Sequence, residues 1–236
     1  MNVLITGTSS GIGHALAQEY LNRGAKVWGI SRRTVKDLSS DKYFHLSVDL
    51  CDYAQVAAQL PSFISGLKTC DLLVLNAGIL GDIKCMDEMD LSTMKEVFEV
   101  NVWSQKFLLD HLFQEVEEVK QLIAISSGSA LRSSPGWGAY AMSKAGLNML
   151  MNIYAKEVPR THFTALAPGL VDTEIQARIS TMTDGDKYPA IKRLQAARHT
   201  AAMPSAQEAA PMLIKAIEKV LENESGGFSD VRTMDL

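Results

Sequence analysis

From the first residue to about residue 170, apolar runs of strand length alternate with longer stretches of helical period. That pattern predicts a parallel sheet with helices on both faces. Val3-Leu4-Ile5 reads as the first strand. The next stretch places Ile12, Ala15, Leu16 and Leu21 near helical spacing and stops at Arg23-Gly24, a cation in the last turn followed by the usual stop residue. Further strands are predicted at Lys26 to Ile30, Tyr43 to Val48, Asp71 to Leu75, Gln121 to Ser126 and Thr161 to Leu166, with a short one near Phe228. Helices are predicted around Tyr53 to Ile64, Thr93 to Glu118, Gly138 to Glu157 and Ser205 to Leu221. No internal repeat and no Pro-rich or Gly/Ser-rich linker divides the chain, so residues 1–236 are expected to form one α/β domain around a doubly wound parallel sheet. Asp172 to Pro204 is too long for a simple connection. It either carries short helices, with Thr173 to Met182 one candidate, or forms a mobile functional segment that covers a ligand.

Composition narrows the setting. Hydrophobic residues make up 47% and charged residues 21% of the chain, too many apolar positions and too few charges for intrinsic disorder. With 27 acidic against 23 basic residues, a formal charge of −4 removes the general electrostatic case for nucleic-acid binding. The longest apolar runs, such as Leu72-Leu73-Val74-Leu75, are far shorter than the roughly 20 residues of a membrane-spanning helix. Cys51, Cys70 and Cys85 match neither a disulfide framework nor a zinc spacing, and the five histidines form no ligand pattern. The expectation is therefore a cytoplasmic chain with no catalytic metal, no membrane partner and no secretion signal at its start.

The first strand runs into Thr6-Gly7-Thr8-Ser9-Ser10-Gly11-Ile12-Gly13, which opens the first helix. Glycines here permit a tight turn and close approach of a pyrophosphate, and the helix N-terminus offers free N–H groups and partial positive charge. The context predicts a Rossmann fold binding a dinucleotide. An acid ending the second strand would bind the ribose 2′-hydroxyl and repel a 2′-phosphate. Ser31-Arg32-Arg33 stands there instead, and a guanidinium fork suits a phosphate dianion, although the two arginines also read as solvated surface charges. Asp49, followed by Leu50 after the third strand, could bind the adenine amino group or cap the next helix.

Tyr140 and Lys144 stand four apart in a helical stretch and so share a face. A nearby ammonium stabilises phenolate and brings a tyrosine toward the working range of a proton donor or base. Ser127 precedes Tyr140 by 13 residues, at the carboxyl edge of the sheet where open α/β folds bind ligands. Together, Thr6-Gly-x-x-x-Gly11-Ile12-Gly13, Asn76-Ala77-Gly78, Asn101, Ser127, Tyr140-x-x-x-Lys144 and Pro168-Gly169 resemble, in order and spacing, the short-chain dehydrogenase/reductase family in its compact single-domain form.

The resemblance implies a nicotinamide dinucleotide as cofactor, with the preference for NADP(H) resting on Arg32 and Arg33 alone, and a small carbonyl or alcohol as substrate. It implies that Tyr140 donates a proton to a carbonyl, or accepts one from an alcohol. Lys144 would lower the pKa of Tyr140 and bind the nicotinamide ribose, Ser127 would hold the substrate oxygen, and the backbone of Asn101 would hold a water leading from Lys144 to solvent. The family spacing selects Ser127 over Ser126. Gly7, Ser9, Ser10, Gly11, Ile12, Gly13, Ser31, Arg32, Arg33, Asp49, Leu50, Asn76, Ala77 and Gly78 would line the cofactor cleft. Pro168, Gly169, Val171 and Thr173 would meet its nicotinamide end. Ser129, Ser133 and Ser134 would shape a loop, and Trp137 would line the substrate pocket or pack. Leu75 replaces a customary asparagine, and Ser10 stands where many NADP-using members carry a basic residue. The segments Pro168 to Gln176 and Ser225 to Asp230 look most like the sepiapterin reductase and benzil reductase branch. Asp230 falls where the sepiapterin enzymes present an acid to the pterin, with a structural role as its alternative. The family also implies a homodimer or homotetramer through the helices beginning near Thr93 and Gly138. Carbonyl reduction is the leading expectation, beside an alcohol dehydrogenase working oxidatively and a catalytically idle NADP(H) sensor.

Overall fold

The computed structural model describes every residue except Ser133. Among the described residues, seven strands form one parallel sheet: β1 (Asn2–Thr6), β2 (Lys26–Ser31), β3 (Tyr43–Ser47), β4 (Thr69–Leu75), β5 (Glu118–Ile125), β6 (His162–Ala167) and β7 (Gly227–Asp230). Their order across the sheet is β3-β2-β1-β4-β5-β6-β7. The direction of winding reverses between β1 and β4, which opens a crevice at the carboxyl ends of the central strands. The helices are α1 (Gly11–Asn22), α2 (Tyr53–Ile64), α3 (Leu91–Phe98), α4 (Ser104–Glu115), α5 (Gly138–Glu157), α6 (Glu174–Ser180), α7 (Pro189–Ala197) and α8 (Ala206–Lys219).

Side chains alternate strictly across the sheet because strand geometry has a period of two. Val3 and Ile5 of β1, Leu72 and Val74 of β4, and Ile123 and Ile125 of β5 face a core closed by α1 and α8. Leu4, Leu73, Leu75, Leu122 and Ala124 face the opposite core, closed by α2, α4 and α5. Burial on both faces makes these strands read as continuous apolar runs. A third core joins Leu80 and Trp137 to Ile179, Tyr188, Ile191, Leu194 and Met203. It belongs to the segment after β6, which therefore carries two helices and its own packing. A parallel bridge between Asp172 and Ser205 closes the base of this cover. Ser205 caps α8, with its hydroxyl and Glu208 exchanging hydrogen bonds across the first turn.

Two predicted boundaries are corrected. The helix expected from Thr93 to Glu118 is three pieces: α3, a π-helical turn at Glu99–Trp103, and α4, with β5 beginning at Glu118. Apolar spacing alone cannot register a single widened turn. Ser127 lies two residues beyond β5 and caps a short 3-10 turn, Gly128–Ala130, by accepting from the Ser129 amide at 3.1 Å.

Candidate active site

The crevice is a cleft of about 1650 Å³, lined by the glycine turn, the ends of β2, β4, β5 and β6, and the cover. It exceeds the roughly 300–1,000 Å³ of ordinary small-molecule pockets, leaving space for a dinucleotide and a substrate together. At its floor, Thr6 Oγ1 accepts from the amides of Asn76 and Ala77 at 2.9 and 3.0 Å, while Asn76 Nδ2 donates to the carbonyls of Thr6 and Gly7 at 2.9 and 3.3 Å. This ties β1 to β4 at the switch point. Gly7 is left-handed at φ 74°, and a Cβ there would lie 2.8 Å from Asn76 Nδ2. At Gly13 a Cβ would come 2.4 Å from the Gly7 carbonyl oxygen. The glycines thus let turn, helix and β4 approach closely, and the amides at the start of α1 stay open to a phosphate.

Ser31 ends β2, with Arg32 and Arg33 next along the cleft wall. Behind them, Tyr43 donates to Thr8 Oγ1 at 3.0 Å, and Ser31 Oγ lies 3.4 Å from Thr8 Oγ1 and 2.9 Å from His45 Nε2. Ser31 also donates to the Arg33 carbonyl at 2.9 Å, fixing the arginine-bearing turn. Sequence spacing gives no sign of this relay, since it joins the glycine turn to β2 and β3. Arg32 approaches Asp49 at 3.9 Å and Arg33 approaches Glu174 at 3.3 Å. Asp49 accepts from the Cys51 amide at 3.0 Å, but Asp52 is the residue that caps α2. The capping alternative for Asp49 is therefore corrected, and its carboxylate stays at the cleft beside Leu50.

Tyr140 and Lys144 project from one face of α5, with Lys144 Nζ 5.8 Å from the phenol ring centre. Lys144 is almost fully buried and donates to the Ile125 carbonyl at 2.7 Å. Burial pushes its ammonium down to about 8. The Tyr140 phenol is raised by burial, and a hydrogen bond from Ser127 acts in the opposite sense. Ser126 is turned away, donating to Asn148 at 2.5 Å. The arrangement brings Ser127, rather than Ser126, to the tyrosine.

Asn101 sits in the π turn, fully buried. Its Oδ1 accepts from the Ile79 amide at 2.8 Å, and its Nδ2 donates to the Ile79 carbonyl and to Ser143 Oγ, each at 2.9 Å. Ser143 was not singled out by motif, yet it joins Asn101 to α5 one residue before Lys144. Gly78 lies against both, since a Cβ there would be 3.0 Å from Asn101 Oδ1 and 3.4 Å from Lys144 Nζ.

Pro168, Gly169, Val171 and Thr173 line the cleft after β6. Trp137 both packs in the third core and lines the cleft. Ser129 and Ser134 also border it, whereas Ser133 lies outside the described residues. Asp230 borders the cleft, but Arg232 occupies its carboxylate through Nε, Nη2 and the backbone amide, and holds its pKa below the usual carboxylate range. No cluster among the described residues could hold a metal ion, and no described helix is long and apolar enough to cross a membrane.

The family model described as short chain dehydrogenase matches residues 1–184. A benzil reductase forming (S)-benzoin from Bacillus subtilis is 30% identical, covering 97% of each chain, and one from Bacillus cereus is 31% identical over 99% of this chain and 98% of its own. The solved KRED1-Pglu enzyme superimposes with a TM-score of 0.86 at 24% identity, covering 97% of this chain and 100% of that one. ElxO with NADP bound gives 0.76 at 22% identity, covering 98% of this chain and 96% of that one. A 3-ketoacyl-(acyl-carrier-protein) reductase from Brucella melitensis complexed with NADH gives 0.79 at 19%, with 98% and 96% covered.

Proposed function

The chain belongs to the short-chain dehydrogenase family of oxidoreductases acting on carbonyl and alcohol groups, and on that premise we propose that it is an NADPH-dependent carbonyl reductase. The observation that carries this reading is Tyr140 and Lys144 on one face of α5 at the cleft, with Ser127 hydrogen-bonded to the phenol and Lys144 Nζ 5.8 Å from its ring centre.

When bound, the dinucleotide supplies the hydride. The rest of the work falls to this chain. The open amides at the glycine turn and the start of α1 would hold the pyrophosphate, and the Arg32-Arg33 pair would hold the 2′-phosphate. Ser127 accepts the Ser129 amide and keeps its own proton, which it directs to the substrate carbonyl oxygen. Tyr140 delivers its proton to that oxygen as negative charge develops there. Lys144, anchored on Ile125, holds the ribose side and steadies the phenolate left behind. Asn101 fixes the loop after β4 against α5 beside Lys144, and its backbone would carry a water toward solvent.

Likeness to the two Bacillus enzymes supports an α-diketone such as benzil as substrate. Leu80, Trp137, Leu170, Ile175, Ile179 and Leu194 give that end of the cleft the apolar walls such a ligand needs. The three free thiols suit a cytoplasmic setting. Outward apolar side chains on α5 and on the turn before α4 support a homo-oligomer.

The test is Tyr140→Phe with benzil and NADPH. Cofactor binding is expected to persist while kcat falls by at least about 100-fold, the scale of a lost acid/base group. Turnover near the parent's would overturn the mechanism.

A further inference from the structure

The cofactor wall and the substrate cover touch at one charged contact. Arg33 Nη2, on the turn after β2, lies 3.3 Å from Glu174 Oε1, the first residue of α6, although the two are 141 positions apart. The neighbouring Thr173 reinforces the crossing, because its methyl carbon would lie 3.3 Å from a Cβ at Gly11. The start of α6 thus rests on both the pyrophosphate turn and the 2′-phosphate turn. Arg32, the other cation, lies 3.9 Å from Asp49.

We propose that Glu174 is a specificity-determining residue that limits the preference for NADP(H) over NAD(H) by holding Arg33 across the cleft. The inference rests on Arg33 being the 2′-phosphate ligand. A guanidinium engaged by a carboxylate has less charge to offer a second anion. A phosphate dianion must therefore displace Glu174 or sit beside it, and both outcomes weaken binding. NAD(H), with a neutral 2′-hydroxyl, meets neither cost. The side chains of Arg33 and Glu174 are 67% and 70% exposed, so solvent screening keeps the effect to a modest factor. The same contact links the adenosine end of the cleft to the substrate cover, since the anion that takes Arg33 also frees the first turn of α6.

The experiment is a binding titration without substrate, using NADP+ and NAD+ and, to remove the nicotinamide end, 2′,5′-ADP and 5′-AMP. Glu174→Gln is expected to tighten NADP+ and 2′,5′-ADP by about three- to tenfold, the scale of a screened charge–charge term. NAD+ and 5′-AMP should stay within about twofold, since they lack the dianion on which that term acts. Arg33→Ala should weaken the 2′-phosphorylated pair alone and abolish the gain from Glu174→Gln in the double variant. Equal shifts for all four ligands, or no shift in Glu174→Gln while Arg33→Ala remains selective, would overturn the role of Glu174 and leave Arg33 as phosphate ligand. Equal losses for all four ligands in Arg33→Ala would overturn the cofactor assignment and this inference with it.

Discussion

At the level of single residues, Lys144 carries the clearest physical signature. It is a buried ammonium whose polar contact is the Ile125 carbonyl, and burial lowers it from the ordinary 10.5 to about 8. Between pH 8 and 10.5 the unfolded chain holds a proton at this position that the folded chain has released. Stability therefore rises with pH across that window, and below it the folded protein bears the whole cost of a charged buried amine, on the order of 3 kcal/mol at about 1.4 kcal/mol per pKa unit. Lys144→Met removes the titration. Denaturant unfolding of the cofactor-free protein at pH 7, 8.5 and 10 should show the parent gaining on the variant as pH rises. A difference that stays flat with pH would show that burial does not set the state of Lys144. Burial thus displaces the two groups in opposite directions, the Tyr140 phenol upward and the Lys144 ammonium downward.

Among the elements, the π turn at Glu99–Trp103 decides where Asn101 points. Inserted between α3 and α4, it turns the side chain inward to both backbone groups of Ile79 and to Ser143. Asn101→Ala should cost about 2 to 4 kcal/mol, because buried partners lose hydrogen bonds and the loop after β4 loses its tie to α5. Ser143→Ala removes two bonds, from Asn101 and to the Tyr140 carbonyl, and should cost about 1 to 2 kcal/mol. Thermal unfolding of both variants checks the ranking, and equal losses would mean that Ser143 alone makes the tie. The turn also marks how far sequence reading reaches. The extents of α2 and α5 were legible because apolar period and stop signals agree there. So were Tyr140 and Lys144, which are near in sequence as well as in space. The break at Asn101 was not legible, because one extra residue per turn barely disturbs apolar spacing. Contacts such as Ser143 with Asn101, or Arg33 with Glu174, depend on strand order and on the path of the cover, which no local pattern encodes. The helices of the cover were only half legible: α6 matches the candidate at Thr173 to Met182, whereas α7 begins at Pro189 in a stretch with no helical reading of its own.

At the scale of the molecule, α5 and the turn before α4 carry large apolar side chains exposed to solvent. Helix α5 packs on the preceding elements at Gly146, where a Cβ would lie 3.7 Å from both Phe98 and Val102. The buried faces are thus already used. Yet Trp103 is 51% and Met149 59% exposed, and Met142 and Ile153 continue the α5 stripe at helical spacing from Met149. Large apolar side chains exposed in this way carry a cost in water that a second copy of the chain would relieve by covering them. Tyr140, Lys144, Leu147 and Met151 occupy the inner face of the same helix. A partner on the outside would therefore stiffen the helix bearing the acid and the amine without entering the cleft. Trp103→Glu combined with Met149→Glu places two carboxylates among the exposed apolar side chains. Sedimentation of the parent at micromolar concentration should give at least a dimer, and the double variant should dissociate at least tenfold more readily while still binding NADP+. A monomeric parent, or an assembly indifferent to both charges, would locate the oligomer elsewhere and leave these side chains as plain surface.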